Sequence, residues 1–491
     1  MDLLLAAAAK FADPTLLGLV ILAGLGGILI GALPGLSSTM AAALLIPFTL
    51  TMDPLTAIAM LSALYCSGTY GGSITAILVN APGAPPAAAT AFDGYPLAQK
   101  GRAGLALGIA TTSSAIGGIF SVLVLIVAAP ALSRLAYDFG PPEYFALALF
   151  GLSMLAAISG ENALKNLIGG AIGVLISTVG MDFTTGVHRF TFGFWELSEG
   201  IHFIPVMIGL FAGSEFLTQA MNLDRQQIRA ALDAVKLPTT EDFKKVWKTI
   251  LRSCGIGTFI GVLPAEGGTV AALIGYNEAK RWSKTPEKFG TGEIEGIAGP
   301  EAANNAATGA AMVPTLALGI PGSATTAVIL GAMMVHGLRP GPHLFTQTPD
   351  LLYVIFFAML FANLFFLCAG LLGAKLFARI TLIPATFLWP CVFILACIGS
   401  YALEQAIMDV WIMIIAGILG FFLKRYGFSP APIIMGLILG SLVEDTLKQS
   451  LIIFDHSWLG FAGRPIALAF FILTAISIAA PLIAAWRRAK N

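Results

Sequence analysis

The sequence has few charged residues. Asp, Glu, Lys and Arg make up 11% of its 491 residues, whereas hydrophobic types make up 57%. A water-soluble domain carries roughly 25% charged residues, so this chain lacks the polar surface that a soluble protein of its size needs. The mean hydropathy of +0.86 agrees. These values exclude a soluble globular protein and indicate a polytopic membrane protein.

Cysteine pairs, an excess of one charge and catalytic motifs are missing as well. The five cysteines lie in apolar stretches without a CxxC pair, so neither a disulfide framework nor a zinc site is predicted. The 27 basic and 27 acidic residues balance, which argues against a nucleic-acid partner. No HExxH or GxSxG motif occurs. We therefore expect no enzyme activity, no bound metal and no bound cofactor.

Long apolar segments predict helices that cross a bilayer, for which about 20 apolar residues are needed. These segments are residues 16–33, 105–129, 144–158, 164–180, 201–221, 351–377, 380–399, 407–422, 429–442 and 466–486. The N-terminus lacks the basic region of a cleaved signal peptide, so we expect the first helix to be retained. The predicted fold is an all-α polytopic membrane protein with about 10–12 transmembrane or re-entrant helices.

Other apolar segments are interrupted by Pro and Gly and are rich in Ser, Thr and Asn. They are residues 37–50, 55–86, 255–275 and 302–336. Interrupted backbone is tolerated at membrane depth only where it packs inside protein or faces a watery cavity. These segments are therefore predicted to form re-entrant hairpins and unwound helices.

Two of the interrupted regions have similar sequences. GALPGLSSTMAA at 31–42 matches GVLPAEGGTVAA at 261–272, and NAPG at 80–83 matches GIPG at 319–322. The matches predict two repeated halves, 1–221 and 253–491, joined by a polar cytoplasmic loop at 222–252. The unequal charge of the loops after the two repeats favours an inverted relation between the halves. Paired interruptions of this kind are typical of a transporter's binding site.

The breaks predict where a carboxylate binds. A helix that starts inside the membrane presents unpaired N–H groups and a positive dipole end, and hydroxyl groups beside it select geometry. The predicted substrate-binding residues are Ser37, Ser38, Thr39, Asn80, Pro82, Gly83, Gly267, Gly268, Thr269, Pro321, Gly322, Ser323, Thr325 and Thr326. The structural alternative is that these small residues only let helices approach closely.

Candidate ion-coupling residues are Asn304, Asn305 and Glu266, because unwound helix ends and side-chain oxygens favour cations. Glu266 stands out since it lies inside a repeat motif. The other acids in apolar surroundings lie mostly near segment ends and are expected at the membrane interface. They are Asp93, Glu161, Asp182, Glu215, Glu301, Glu404, Asp409 and Glu444.

Three stretches carry a resemblance to a known family. GALPG at 31–35, ALGIPGS at 317–323 and GLRPGP at 337–342 are similar to the large transmembrane subunit of tripartite tricarboxylate transporters (TctA-type), over nearly the whole chain. AEGGT at 265–269 departs from GLSST at 35–39, so the two halves of the site are expected to be chemically unequal.

The resemblance implies a secondary active transporter that imports citrate-like tricarboxylates or related carboxylates by symport with sodium or protons. It implies two partners, a small four-helix membrane subunit and a periplasmic solute-binding protein, and a location in the bacterial inner membrane. Elevator-type alternating access follows only by analogy with related carriers. A membrane channel and a non-transporting structural subunit remain alternatives, and saturable, gradient-dependent flux would distinguish a carrier from both.

Basic residues indicate the orientation. Stretches 222–252 and 277–301 and the C-terminal tail are rich in Lys and Arg, which the positive-inside rule places in the cytoplasm. The identity of the carboxylate, the coupling ion and the oligomeric state stay open at this point.

Overall fold

The structure, a computed structural model, describes residues 2–33, 35–158, 163–182, 184–221, 238–263, 267–380 and 383–490. It is 82% helical. Among these residues, seven helices are long and apolar enough to cross a membrane, and two short strands pair in one antiparallel hairpin. The predicted all-α polytopic class is confirmed.

The helices before residue 222 are α1 (Asp2–Phe11), α2 (Pro14–Gly31), α3 (Ser38–Thr49), α4 (Pro54–Val79), α5 (Ala88–Leu97), α6 (Ala103–Ala136), α7 (Pro141–Ile158), α8 (Ala163–Ser177), α9 (Phe203–Ile208) and α10 (Ser214–Ala220). The strands are β1 (Gly180–Met181) and β2 (His188–Arg189), with Gly180 opposite Arg189. The helices after residue 237 are α11 (Thr240–Val262), α12 (Gly267–Trp282), α13 (Glu295–Leu318), α14 (Ala324–Val335), α15 (Leu344–Gln347), α16 (Pro349–Ile380), α17 (Ala385–Glu404), α18 (Ile407–Arg425), α19 (Pro430–Ile453) and α20 (Pro465–Lys490). Short 3₁₀ helices lie at Pro85–Ala87, Trp195–Glu199, Pro286–Lys288 and Trp458–Gly463, and π-helical turns lie at Ala98–Arg102 and Gly209–Gly213.

Polar side chains fix where several helices begin. Asp13 and Asp53 cap α2 and α4 by accepting backbone N–H bonds, and a proline occupies the first position of each helix. Thr239 and Asp242 form a reciprocal capping box at the start of α11. These caps satisfy N–H groups that an apolar helix cannot satisfy itself.

The structure changes the extent of some predicted segments. Residues 54–79 form one helix although they were predicted to be interrupted, because glycines such as Gly71 pack against the α2 backbone and do not end the helix. Residues 240–252 of the predicted connecting loop form the first half of α11. The preceding part of that loop, 222–237, lies outside the described residues.

Contacts between Cα atoms divide the chain into two compact units. Unit 1 comprises Met1–Ser133, Gln219–Leu263 and Gly267–Cys391, and unit 2 comprises Arg134–Thr218 and Val392–Asn491. Each unit takes chain from both predicted halves. The division by contacts therefore differs from the division by repeat, which stays a prediction.

Unit 1 contains the same succession of elements twice. Helices α2, α3, α4, α5 and α6 follow one another in one half, and α11, α12, α13, α14 and α16 follow in the same order in the other, with the four-residue α15 between α14 and α16. Helix α2 packs along α4, and α11 packs along α13. Helices α4 and α13 form the core, since Ala57–Val79 and the whole of α13 are buried. The predicted breaks lie between these elements.

Unit 2 is held by helix packing and by ion pairs, several of which form one cluster. Helix α7 packs against α19 and α20, α8 packs against α19, and α9 packs against α18. Glu444 binds Arg189 at 2.5 Å and Lys448 at 2.6 Å, and Lys448 also binds Asp182 at 2.8 Å. The hydrogen bond from Lys448 is the main reason that the pKa of Asp182 lies below its usual range. The cluster attaches the β1–β2 hairpin to α19.

Asp93 fastens α5 to the loop that precedes α13. Its side chain is fully buried. One carboxylate oxygen accepts backbone N–H bonds from Gly290 at 2.9 Å and from Gly292 and Glu293 at 2.8 Å, and the other accepts the Tyr276 hydroxyl at 2.9 Å. Backbone N–H groups can only donate, so this environment requires an acceptor at position 93.

We expect Asp93→Ala to lower the free energy of unfolding by about 2–4 kcal/mol, because it leaves several donors without a charged acceptor. Asp93→Asn keeps one oxygen acceptor and should lose less. Thermal unfolding of the detergent-purified protein measures both. Equal melting temperatures for the wild type and Asp93→Ala would show that the loop does not depend on this side chain.

Candidate functional site

Helices α3 and α14 begin at the predicted breaks. Ser37 caps α3, and its hydroxyl oxygen accepts the N–H of Met40 at 3.2 Å. Ser323 caps α14, and its hydroxyl oxygen accepts the N–H of Thr326 at 3.2 Å. Serine favours this position because its short side chain reaches the N–H three residues ahead.

The starts of α3 and α14 meet. Thr39 Oγ1 and Thr325 Oγ1 are 2.7 Å apart in a buried hydrogen bond, and Ser323 Oγ lies 3.3 Å from the Tyr65 hydroxyl. At the opposite ends of the two helices, Thr49 Oγ1 lies 3.1 Å from His336 Nε2. The two helices therefore run parallel, and their positive dipole ends lie side by side.

The start of α12 also lies close to the interruption that follows α4. Helix α12 starts at Gly267. A side-chain carbon at Gly268 would lie 3.0 Å from Asn304 Oδ1 and 3.3 Å from Pro86 Cγ, a residue of the short helix that leads into α5. Thr269 follows on α12 and is half-buried. This N-terminus thus opens toward the Asn304 side chain.

Asn304 and Asn305 carry polar atoms without a partner among the described residues. Asn304 is 2% exposed and its Nδ2 donates no hydrogen bond, while Asn305 is fully buried and its Oδ1 accepts none. Asn305 Nδ2 donates to the backbone oxygen of Glu301 at 3.2 Å. A buried polar group without a partner is unfavourable by about 1–3 kcal/mol. Such a group is commonly satisfied by a ligand or an ordered water.

Close packing shapes the interruption between α4 and α5, at residues 80–83. Asn80 ends α4 in a left-handed conformation with φ of 53°, and Pro82 follows half-buried. The N–H of Gly83 donates to the Gly72 oxygen at 3.3 Å, and a side-chain carbon at Gly83 would lie 2.0 Å from the Gly31 oxygen. Gly83 therefore has a packing contact, and the predicted binding roles of Asn80, Pro82 and Gly83 stay predictions.

The interruption between α13 and α14, at residues 319–323, is hydrogen-bonded to these two helices. The N–H of Gly322 donates to Thr315 Oγ1 at 3.2 Å, and the neighbouring Pro321 is buried. Thr326 Oγ1 accepts the N–H of Ser323 at 2.8 Å and completes a capping box. The structure brings Thr39 into contact with Thr325, so the helix starts that carry Ser37, Ser38 and Ser323 lie beside each other. Glu266 lies outside the described residues.

The repeat relates Tyr65 and Asn304. Tyr65 lies fifteen residues before Asn80, and Asn304 lies fifteen residues before Gly319, which are the left-handed residues that end α4 and α13. Tyr65 faces the start of α14, which lies beside the start of α3. Asn304 faces the start of α12, which lies beside the short helix that leads into α5. Tyr65 is not among the residues predicted from the sequence, although the alignment of NAPG with GIPG pairs it with Asn304 and could have identified it.

Glu301 lies further inside its helix than the sequence predicted, and its position relative to the membrane interface stays a prediction. Its side chain is fully buried in α13. The predicted segment began at residue 302, whereas α13 begins at Glu295. Glu301 is therefore almost two helical turns inside the helix.

A pocket of about 280 Å³ lies beyond the C-terminal end of α14 and is lined by Gly337, Leu338, Arg339, Leu344, Gln347 and Thr348. Its lining includes the first three residues of the GLRPGP stretch but none of the predicted site residues. The 12 residues of α14 separate it from Ser323 by roughly 18 Å. The pocket is therefore distinct from the meeting of α3 and α14.

Comparison with known proteins identifies the family. Residues 17–435 match the model of the tripartite tricarboxylate transporter TctA family. The chain belongs to this family. It is similar to an uncharacterised 52.8 kDa protein from the TAR-I ttuC' 3' region of Agrobacterium vitis, with 40% identity over 93% of this chain and 91% of that protein. It is also similar to an uncharacterised protein from the TAR-II ttuC' 3' region of the same organism, with 37% identity over 48% of this chain and 97% of that protein. No solved structure matches.

Family membership establishes the general role. The chain is a multi-pass membrane protein and the large subunit type of a tripartite tricarboxylate transporter, which works with other subunits. The family is a transporter family, consistent with the expectation that the chain is not an enzyme.

Proposed function

We propose that this chain imports a citrate-like tricarboxylate or a related carboxylate by secondary active transport. The observation that supports this most is the contact between Thr39 and Thr325, which brings together the starts of α3 and α14. Each helix start carries roughly half a positive charge. Two parallel starts therefore suit a carboxylate without a buried basic side chain.

The second pair of helix starts extends the proposed site. Asn304 Oδ1 lies beside Gly268 at the start of α12, and the Nδ2 of the same amide has no acceptor among the described residues, so it is available to donate to an anion. A substrate with several carboxylates can use more than one such position. The two pairs of helix starts differ in chemistry. Hydroxyl groups line the pair at Thr39 and Thr325, and an amide lines the pair at Asn304. This difference suits a substrate whose carboxyl groups are not equivalent.

We propose an elevator type of alternating access, in which unit 1 is the moving body because it contains all the described residues of the proposed site. A co-transported proton or sodium ion would offset the charge of the anion and provide the driving force. The partners would be a small four-helix membrane subunit and a periplasmic solute-binding protein in the bacterial inner membrane. Positively charged loops and the C-terminal tail would face the cytoplasm.

We expect saturable uptake of labelled citrate into vesicles that contain this chain, the small membrane subunit and the binding protein. Uptake should require all three proteins and an imposed gradient of sodium or protons, because a carrier with a binding site saturates and moves an anion uphill only when coupled. Smaller dicarboxylates, tested in parallel, define the substrate range.

Two controls separate the alternatives. Flux that rises linearly with citrate concentration would favour a channel. Normal uptake after Ser38→Ala and Ser323→Ala, in protein that is folded, would favour a structural role for the breaks. No uptake of any carboxylate by an assembled complex would contradict the proposed substrate class.

A further inference from the structure

Glu301 lies in a ring of hydroxyl groups supplied by three other helices. One carboxylate oxygen accepts a hydrogen bond from Ser73 of α4 at 2.5 Å and another from Thr90 of α5, and the second oxygen accepts from Ser114 of α6 at 2.5 Å. Ser73, Thr90, Ser114 and Glu301 are each at most 1% exposed. These contacts have the length of direct hydrogen bonds, so they leave no room for a metal ion between the oxygens.

No ion pair among the described residues includes Glu301. Some other buried acids of this chain have basic partners, such as Glu293 with Lys245 and Glu143 with Arg464. A carboxylate in apolar surroundings without a cation is strongly unfavourable in its charged form, and burial favours the neutral acid. An ionisable group in this position is a candidate for function.

The hydroxyl ring can satisfy Glu301 in both of its protonation states. A hydroxyl group donates or accepts a hydrogen bond by rotating its hydrogen, so it can face either a carboxylate or a carboxylic acid. Asp93 on α5 provides the contrast, since three backbone N–H groups that can only donate hold its carboxylate. The backbone groups around Asp93 can only donate, whereas the hydroxyl groups around Glu301 can donate or accept, so the surroundings of Glu301 permit a change of charge.

Glu301 lies next to the proposed substrate site along two elements. Asn304 follows it by three residues on α13, and Thr90 follows Pro86 by four residues on the segment that forms α5. Both separations are close to one helical turn, about 5.4 Å. The carboxyl group is thus about one turn away from the place where Asn304, Pro86 and Gly268 meet. At this distance its charge acts directly on a bound anion.

We propose that Glu301 carries the proton that couples carboxylate import to a proton gradient. This inference depends on the proposed transport function. The empty, outward-facing site binds the anion together with a proton that moves from external water to a Glu301 carboxylate oxygen. The neutral acid and the anion cross together, and Glu301 then releases its proton to internal water as the anion leaves. One proton accompanies each cycle and no other bond changes.

Other titratable groups near α13 do not substitute for Glu301. Those buried on the neighbouring helices are Tyr65, Cys66 and Tyr70 on α4, Asp93 on α5, Cys254 on α11 and Tyr276 on α12. Phenols and thiols stay neutral between about pH 5 and pH 7.5, and the Asp93 side chain is engaged by three backbone N–H groups and the Tyr276 hydroxyl. Glu293 and Glu295, at the start of α13, are bonded to Lys245 and to Thr249 with Ser283.

The test uses Glu301→Gln in vesicles that contain all three subunits, with labelled citrate as the probe. Glutamine keeps the size and the hydrogen-bonding capacity of glutamate but cannot carry the proton. We expect uptake driven by a pH gradient to fall to the rate seen without a gradient, and its dependence on pH to disappear. Exchange of external for internal citrate, which requires no net proton movement, should continue.

The matched control is Glu295→Gln. Glu295 is a buried acid of the same helix, 8% exposed and bonded to two hydroxyl groups, and its substitution should leave both pH-driven uptake and exchange unchanged. Infrared titration of the purified protein adds a readout that needs no substrate. A carboxylic-acid carbonyl band that titrates with pH in the wild type should be missing in Glu301→Gln and present in Glu295→Gln.

The outcomes separate the two proposals. Normal pH-driven uptake by Glu301→Gln, or citrate exchange in the wild type that depends on sodium and never on pH, overturns the role of Glu301 and leaves the transport function intact. The role of Glu301 is also overturned if Glu301→Gln shows the same titrating carbonyl bands as the wild type. A wild-type complex that neither takes up nor exchanges citrate overturns the proposed function itself.

Discussion

Gly83→Ala is expected to abolish carboxylate uptake. The new methyl carbon would lie 2.0 Å from the backbone oxygen of Gly31 and 3.0 Å from the Cα of Gly72. Both neighbours are backbone atoms, which cannot rotate away as a side chain can, so the break after α4 must move. Extra volume that only the backbone can accommodate lowers the free energy of unfolding by about 3 kcal/mol or more. Citrate uptake and the thermal stability of the purified protein measure the two consequences.

The matched control for Gly83→Ala is Gly26→Ala. Gly26 lies on α2, and a side-chain carbon at this position has no neighbour within 4 Å. Alanine also favours the helix more than glycine does by about 1 kcal/mol. Gly26→Ala should therefore be stable and active. If Gly83→Ala melts and transports like the wild type, the close contact of the break with α2 and α4 does not exist.

The sequence indicated where the helices break but not what the breaks contact. Hydropathy and proline positions locate the start of α3 near Ser38 and that of α14 near Ser323, because helix caps are local signals. The contact of Thr39 with Thr325 joins residues 286 positions apart. It depends on how α3 and α14 pack, which no local pattern specifies.

The hydroxyl ring around Glu301 shows the same limit. Ser73, Thr90 and Ser114 lie on three different helices, and a lone Ser or Thr in an apolar helix most often bonds to its own backbone. Nothing in the local sequence distinguishes these three from Ser62 or Thr111, which do bond to the backbone four residues earlier. Only the packing of α4, α5, α6 and α13 identifies them.

The likeness of the two halves was also only partly visible. The GALPG and NAPG motifs reveal the repeat, because prolines and glycines are constrained by backbone geometry. Tyr65 and Asn304 occupy equivalent positions but have different chemistry, and so sequence similarity does not connect them. Their equivalence follows from their equal separation along the chain from the left-handed residues that end α4 and α13.

Asn304→Ala is expected to weaken substrate binding by about ten- to one-hundredfold. A hydrogen bond to a charged group contributes about 1.5–3 kcal/mol, and 1.4 kcal/mol corresponds to about a tenfold change in affinity. The Nδ2 of Asn304 is buried without a protein acceptor among the described residues, and the Oδ1 of the same amide lies next to the start of α12 at Gly268. Its removal should therefore raise the citrate concentration for half-maximal uptake while the protein remains folded.

Asn363→Ala provides the control for Asn304→Ala. Asn363 on α16 is 1% exposed, and its Nδ2 already donates to the Met359 oxygen at 2.7 Å. Its unpartnered atom is Oδ1, an acceptor that repels a carboxylate. Loss of this side chain should lower stability but leave the half-maximal citrate concentration unchanged. If both variants raise that concentration equally, the effect arises from a loosened core, and Asn304 does not donate to the substrate. If only Asn304→Ala raises it, the start of α12 is part of the binding site, and the amide supplies there a donor that the α3 and α14 starts provide through hydroxyl groups.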